Sequence, residues 1–153
     1  MPKSRRRNMD LEPQTSASKL GSYPLAHVAV VVESLSAAAP LYVALGFTLH
    51  EPEVIEREKV RAQRVEKDGL RIELLEAFPS GAGPLAKFLA KRGPGLHHVA
   101  LHTADLKGAL TRLQAAGVLP LKGYPATGMS GSLVAFLDPK TTGGVLYELV
   151  QPA

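Results

Sequence analysis

Leu25-Ala26-His27-Val28-Ala29-Val30 and, 71 positions further on, Leu96-His97-His98-Val99-Ala100-Leu101 are one short apolar segment written twice, each with a histidine in third place. The repetition continues downstream. At the same offset Leu35 matches Leu106, Ala38 matches Ala109, and Ala44-Leu45-Gly46-Phe47 matches Ala115-Ala116-Gly117-Val118. Gly69-Leu70-Arg71-Ile72-Glu73-Leu74-Leu75 then matches Gly144-Val145-Leu146-Tyr147-Glu148-Leu149-Val150 at an offset of 75, as four extra loop residues in the second copy would produce. Matches in the same order at both ends of each copy mark an internal duplication, so the chain is one supersecondary module used twice.

Each copy has the same local signals. The β-branched run around 28–32 predicts a strand. Ser34 and Asp105 stand where helix N-caps belong. Leu35, Ala38, Leu41, Tyr42 and Leu45 recur at helical spacing, as do Leu106, Ala109, Leu110 and Leu113. Gly46 and Gly117 fall where a left-handed C-cap ends a helix. Three extended stretches follow each helix, at about 48–56, 59–67 and 69–78, then at about 119–124, 131–138 and 143–151. Asp68-Gly69 is a tight hairpin signal. Between the copies, residues 84–92 form a short helix framed by Pro84 and Gly93. The expected fold is α+β, with module one at about 24–79, the linking helix at 84–92 and module two at about 95–151. Two such βαβββ modules side by side make an incomplete curved barrel around a cleft.

Composition narrows the chemistry. The 153 residues contain no cysteine, which removes disulfides, zinc–thiolate sites and thiol nucleophiles and leaves His, carboxylate or amide ligands for any metal. Of the net charge of +4, residues 1–22 carry +3 through Lys3, Arg5, Arg6, Arg7 and Lys19 against Asp10 and Glu12. Residues 23–153 are nearly neutral at +1, so no basic nucleic-acid footprint is expected on the folded part. No run of 18 apolar residues predicts a membrane span. The basic start lacks the apolar region of a signal peptide; it reads as a disordered solubilising tail, and a cytoplasmic location is expected.

The polar residues that survive in both copies carry the functional signal: His27 with Glu73, and His98 with Glu148. A single strand histidine is ordinarily a hydrogen-bonded core residue. Here the same costly exceptions recur at equivalent places in apolar strands. If the first and last strands of each module are neighbours, the two halves offer a His₂Glu₂ set to one cleft. Imidazole and carboxylate donors suit Zn²⁺, Co²⁺, Mn²⁺, Ni²⁺ or Fe²⁺ rather than Ca²⁺ or Mg²⁺. Four protein ligands on an octahedral ion leave two positions for a bidentate substrate or two waters. Period-two alternation predicts that His97 points away from the cleft. His102 has Val31 as its counterpart and His50 lies in a charged strand, so neither is expected to act.

With these residues in place, the chain resembles the vicinal oxygen chelate (glyoxalase/bleomycin resistance/dioxygenase) superfamily, and within it the methylmalonyl-CoA epimerases, across about 24–151. The most specific stretches are Pro84-Leu85-Ala86-Lys87-Phe88-Leu89-Ala90-Lys91-Arg92-Gly93-Pro94-Gly95-Leu96-His97-His98 and Phe136-Leu137-Asp138-Pro139-Lys140-Thr141-Thr142-Gly143-Gly144-Val145-Leu146-Tyr147-Glu148-Leu149. The resemblance implies that His27, His98 and Glu148 bind one divalent metal ion, typically Co²⁺, with Glu73 in the fourth position. It implies an acyl-CoA substrate and a homodimer. Lys87, Arg92, Lys140 and Gln63 are the candidate substrate contacts.

The implied reaction interconverts (R)- and (S)-methylmalonyl-CoA. A C–H between a thioester and a carboxylate is too weak an acid for an unassisted side chain, and a cation at the enolate oxygen offsets the developing charge. Inversion needs a base on one face and an acid on the other; Glu148 and Glu73 are the expected pair. Some epimerases supply a glutamate from the third strand, where this chain has Ala62. The usual His before Pro139 is Asp138. The competing readings are a glyoxalase I-type lactoylglutathione lyase, using the same enediolate chemistry, and a non-catalytic small-molecule-binding member. An extradiol dioxygenase fits less well, since those sites use a His₂–carboxylate triad and usually sit in longer chains.

Overall fold

Ser34 Oγ accepts a hydrogen bond from Ala37 N at 3.2 Å, and Asp105 Oδ1 accepts one from Gly108 N at 3.0 Å. These two caps start the equivalent helices α1 (Leu35–Ala44) and α3 (Leu106–Ala115), which Gly46 (φ 86°) and Gly117 (φ 84°) turn off in the left-handed region. The structure is a computed structural model that describes residues 22–153. The basic tail inferred at 1–22 lies, but for its last residue, outside the described residues.

The strands are β1 (Leu25–Val31), β2 (Thr48–Leu49), β3 (Glu53–Ile55), β4 (Val60–Lys67) and β5 (Leu70–Ala77) in the first half. After the linking helix α2 (Gly83–Arg92) come β6 (Gly95–His102), then β7 (Ala126–Thr127), β8 (Leu133–Phe136) and β9 (Tyr147–Gln151). They form one nine-stranded sheet in the order β2-β4-β5-β1-β6-β9-β8-β7, with β3 also paired to β4. β1 lies parallel to β5, β6 lies parallel to β9, and the two halves join through the antiparallel pair β1–β6. The fold is α+β, as expected.

Three extended stretches differ from their prediction. The one at 48–56 is broken into β2 and β3, because Pro52 has no N–H to give the ladder. The one at 119–124 is not a strand: it makes a single bridge, Pro120 to Leu137, and the edge pairing moves on to Ala126–Thr127. The one at 143–151 begins at Tyr147, since Gly143 (φ 73°) and Gly144 (φ 94°) form a turn. The hairpin turn does form at Asp68 (φ 50°) and Gly69 (φ 80°), both left-handed as a two-residue type I′ turn requires.

Alternation along the strands divides the core. One face, with Val65, Leu74 and Val32, packs under Leu35 and Tyr42 of α1, and Leu149, Ala135 and Leu137 pack under Leu106, Ala109 and Leu110 of α3. On the other face Ala29, Val31, Val60, Ala62 and Leu75 pack against Leu85 of α2. The concave remainder of that face is a cavity of about 260 Å³.

Candidate metal centre

Strand register alone brings the four recurring residues together. Glu73 on β5 stands opposite Ala29 on β1, which stands opposite His98 on β6. Its symmetry-related row runs from Glu148 on β9 through Ala100 on β6 to His27 on β1. Ala29 and Ala100 are fully buried, and with only a methyl group each they leave the space over the sheet to their larger neighbours.

That space is where the ligating atoms meet. His27 Nε2 lies 3.3 Å from His98 Nε2, 3.4 Å from Glu148 Oε1 and 3.2 Å from Glu73 Oε2. Ligand atoms of His27, His98 and Glu148 all lie within 4.8 Å of one another, and Glu73 joins the group at its edge, through His27. Burial pushes the pKa of His27 down to about 3, helped by the His98, Arg71 and His102 charges; burial likewise takes His98 to about 3 against the opposing pull of Glu58. Both imidazoles are therefore neutral, with lone pairs free to donate. Burial raises both carboxyl groups to about 8, with the Glu148 charge adding to the shift of Glu73 and the Glu58 charge to that of Glu148. Two unprotonated imidazoles and two desolvated carboxyl groups, which a cation would draw into the ionised form, fit a divalent ion of the first transition series. His27, His98 and Glu148 could hold it, with Glu73 beside them.

His97 is not where period-two alternation puts it. In the β1–β6 ladder Val30 pairs with Leu96 and Ala29 with His98, which leaves His97 as an extra residue. The same happens in the other copy, where Leu25 pairs with Leu101, His27 with Ala100, and Ala26 is extra. A bulge before each ligand histidine turns the preceding residue toward the cleft as well. His97 therefore lines the cavity, its Nδ1 2.8 Å from His98 Nδ1 and its ring edge-on to Phe88 at 4.9 Å. With its Nε2 lone pair given to an ion, His98 would carry its proton on Nδ1 and donate it to His97, which would fix tautomer and ring plane.

Residues 26–136 match the model of the Glyoxalase/Bleomycin resistance protein/Dioxygenase superfamily. The chain belongs to this superfamily. Among its members, the ethylmalonyl-CoA/methylmalonyl-CoA epimerase of Cereibacter sphaeroides is 37% identical over 130 residues, 83% of this chain and 96% of that one. The crystal structure of methylmalonyl-CoA epimerase from Mycobacterium tuberculosis is similar with a TM-score of 0.80 at 34% identity, covering 85% of this chain and 88% of the other. A methylmalonyl-CoA epimerase in complex with methylmalonyl-CoA and NH4+ gives a TM-score of 0.79 at 32% identity, covering 87% and 96%.

The other sequence-derived residues of this superfamily member are dispersed. Lys87, Arg92, Lys140 and Gln63 are not among the residues lining the cavity. Lys87 is exposed on α2, Arg92 lies over the Phe88 ring at 5.7 Å, and Gln63 donates its amide to His50 O at 2.9 Å. Asp138 caps a 3₁₀ turn by accepting from Lys140 N at 3.0 Å, and Lys140 stays exposed in that turn. His50 is half-exposed against Glu66 at 3.3 Å, off the cavity. His102, expected to be inert, does line the cavity, with its Nδ1 buried and without a hydrogen-bond partner among the described residues. Glu58 and Arg71 also line it, and neither was singled out as a site residue in the sequence, where Glu58 has no acidic counterpart at the 71-residue offset.

Proposed function

We propose that this protein is a divalent-metal-dependent epimerase that interconverts (R)- and (S)-methylmalonyl-CoA. The observation that carries this reading is the convergence of His27, His98 and Glu148 in a largely apolar cavity, in a chain whose relatives bear that activity in their names. His27, His98, Glu148 and Glu73 hold one ion, with Co²⁺ first and Zn²⁺, Mn²⁺ or Ni²⁺ also suited to the donors. When bound, such an ion supplies the positive charge that stabilises an enolate derived from the thioester. Apolar walls formed by Leu75, Val134 and Phe136 keep bulk water from competing for the carbanionic centre. Glu148 moves the α-proton on its own face of the substrate. Glu73 lies against the same imidazole nitrogen as Glu148, so it belongs with the ligands rather than on the opposite face. The relatives' thioester substrates favour this reading over a glutathione lyase, and the full ligand set favours it over a binding-only module.

Deuterium uptake tests the proposal. In heavy water, metal-stripped protein reconstituted with Co²⁺ is expected to place deuterium on the α-carbon of methylmalonyl-CoA and to convert either epimer into the mixture. Stripped protein is expected to do neither. Absence of exchange under Co²⁺, Zn²⁺, Mn²⁺ and Ni²⁺ alike overturns it.

A second expectation concerns His97. His97→Ala removes the acceptor that holds His98 Nδ1–H and is expected to weaken Co²⁺ binding by about 10- to 100-fold. Calorimetric titration of the stripped protein measures it, and unchanged affinity would show that the imidazole pair has no orienting role.

A further inference from the structure

We propose that Glu58 is the second acid/base of the epimerase, acting on the face of the substrate opposite to Glu148. The proposal rests on the functional reading above, and the closing experiment separates the two.

Three carboxylates line the cavity: Glu73, Glu148 and Glu58. The first two meet on the sheet floor at His27 Nε2. Glu58 comes from elsewhere, at the end of the 3₁₀ turn Glu56–Glu58 between β3 and β4. Glu148 is on β9 of the other half, so the two groups enter from different elements. Inversion at a carbon requires a proton to leave one face and another to arrive on the reverse, which two groups on one wall do not provide.

Glu58 is also held as a working group would be. Tyr124 donates its hydroxyl to Glu58 Oε1 at 2.7 Å, and Arg57 Nη1 donates to the same oxygen at 3.3 Å. Both bonds fall on Oε1, which leaves Oε2 as the proton-carrying oxygen. Tyr124 is fixed in turn: its ring meets Phe136 at 5.3 Å, and Phe136 meets the His98 ring at 4.9 Å. Edge-on aromatic contacts thus tie the position of Glu58 to the ligand across the join between the halves. Its charge reaches the centre as well, acting on both Glu148 and His98. Neighbouring Glu53 is committed differently, both its oxygens accepting from Ser130 N at 3.0 and 3.1 Å. β4 gives the cavity Val60 and Arg64 and no carboxylate.

In one direction the Glu58 carboxylate takes the α-proton, and the C–H electron pair becomes the enolate. Glu148, whose Oε1 is turned to His27 and His98, then gives a proton from Oε2 to the other face, where the enolate pair forms the new C–H bond. One carboxyl gains the proton that the other loses, and the reverse reaction exchanges the roles.

The test follows α-deuterium uptake and inversion of each epimer separately, with Co²⁺-loaded wild type, Glu58→Gln and Glu58→Asp. Glu58→Gln is expected to lose inversion by at least about 100-fold. One epimer should still exchange its α-proton within about tenfold of wild type, because Glu148 can remove a proton and return deuterium to the same face. Glu58→Asp, which keeps a carboxylate, is expected to invert at least about tenfold faster than Glu58→Gln. Both variants are expected to stay folded and to bind Co²⁺, since Glu58 contacts none of the four ligands by hydrogen bond and reaches Glu148 and His98 only through its charge. Inversion by Glu58→Gln close to wild type, or equal loss of exchange from both epimers, overturns the assignment. Failure of the aspartate to recover activity, or loss of Co²⁺ affinity, overturns it too. A wild type that exchanges nothing removes the epimerase reading itself, and the role of Glu58 with it.

Discussion

Glu148→Gln is expected to slow epimerisation by about 10³-fold or more while leaving the protein folded, because general acid–base groups are worth about 10²–10⁴ in rate and this one is also a metal ligand. The amide matches the carboxylate in shape, so the cavity wall it shares with Val150 and Phe136 is kept. What disappears is the charge and the proton that the group can carry. The same substitution removes a burial cost, since the Glu148 carboxyl is pushed up to about 8 by desolvation, with the Glu58 charge adding to it. Metal-free Glu148→Gln is therefore expected to melt no lower than metal-free wild type at pH 8, even as its Co²⁺ affinity falls. Steady-state inversion assays and thermal melts on the same preparations check both halves. Activity within tenfold of wild type would mean that Glu148 neither carries the proton nor holds the ion.

The parts of the molecule that repeat were legible in the sequence, and the reason is physical. A register that pairs β1 with β5 and β6 with β9 forces equivalent side chains to equivalent places, so a histidine and a glutamate kept in both copies had to meet across a central β1–β6 pair. Caps and turns were legible because Ser34, Asp105, Gly46, Gly117 and Gly69 act over a few residues of chain. The β1–β6 bulges were not, because the extra residue exists only relative to a partner strand 71 positions away. Without them, alternation sends His97 to the wrong face. Glu58 and Tyr124 meet across 66 positions, from a turn in one half and a loop in the other, and neither has a like residue 71 positions away in the other copy. Charge marks Lys87, Arg92 and Lys140 in the sequence, but charge says nothing about the side of the sheet on which a residue lies.

Metal-free protein is expected to lose stability as pH rises from 6.5 to 8, and Co²⁺ is expected to raise the melting temperature more at pH 8 than at pH 6. The sign follows from the four buried groups. Glu73 and Glu148 have folded pKa values raised from 4.5 to about 8, so above 4.5 the unfolded chain releases protons that the folded one retains. Their contribution is complete below 4.5 and declines as pH rises through about 8. His27 and His98 are lowered from 6.5 to about 3, so their contribution is complete above 6.5 and declines as pH falls below it. Between 4.5 and 6.5 the two effects oppose each other. From 6.5 to 8 only the carboxyl groups act, at about 1.4 kcal/mol per pH unit for each group that stays protonated. One such group costs about 2 kcal/mol over that interval, which lowers the melting temperature by several degrees for a domain of this size. A bound divalent cation favours the ionised carboxylates and removes the penalty, so ion binding near pH 7 also releases protons to the buffer. Melting curves from pH 5 to 9, with and without Co²⁺, test the slope, and calorimetry in two buffers of different ionisation enthalpy counts the protons. A metal-free melting temperature that is flat or rising between pH 6.5 and 8, with no proton release on Co²⁺ binding, would show that these carboxyl groups are already ionised without a cation beside them.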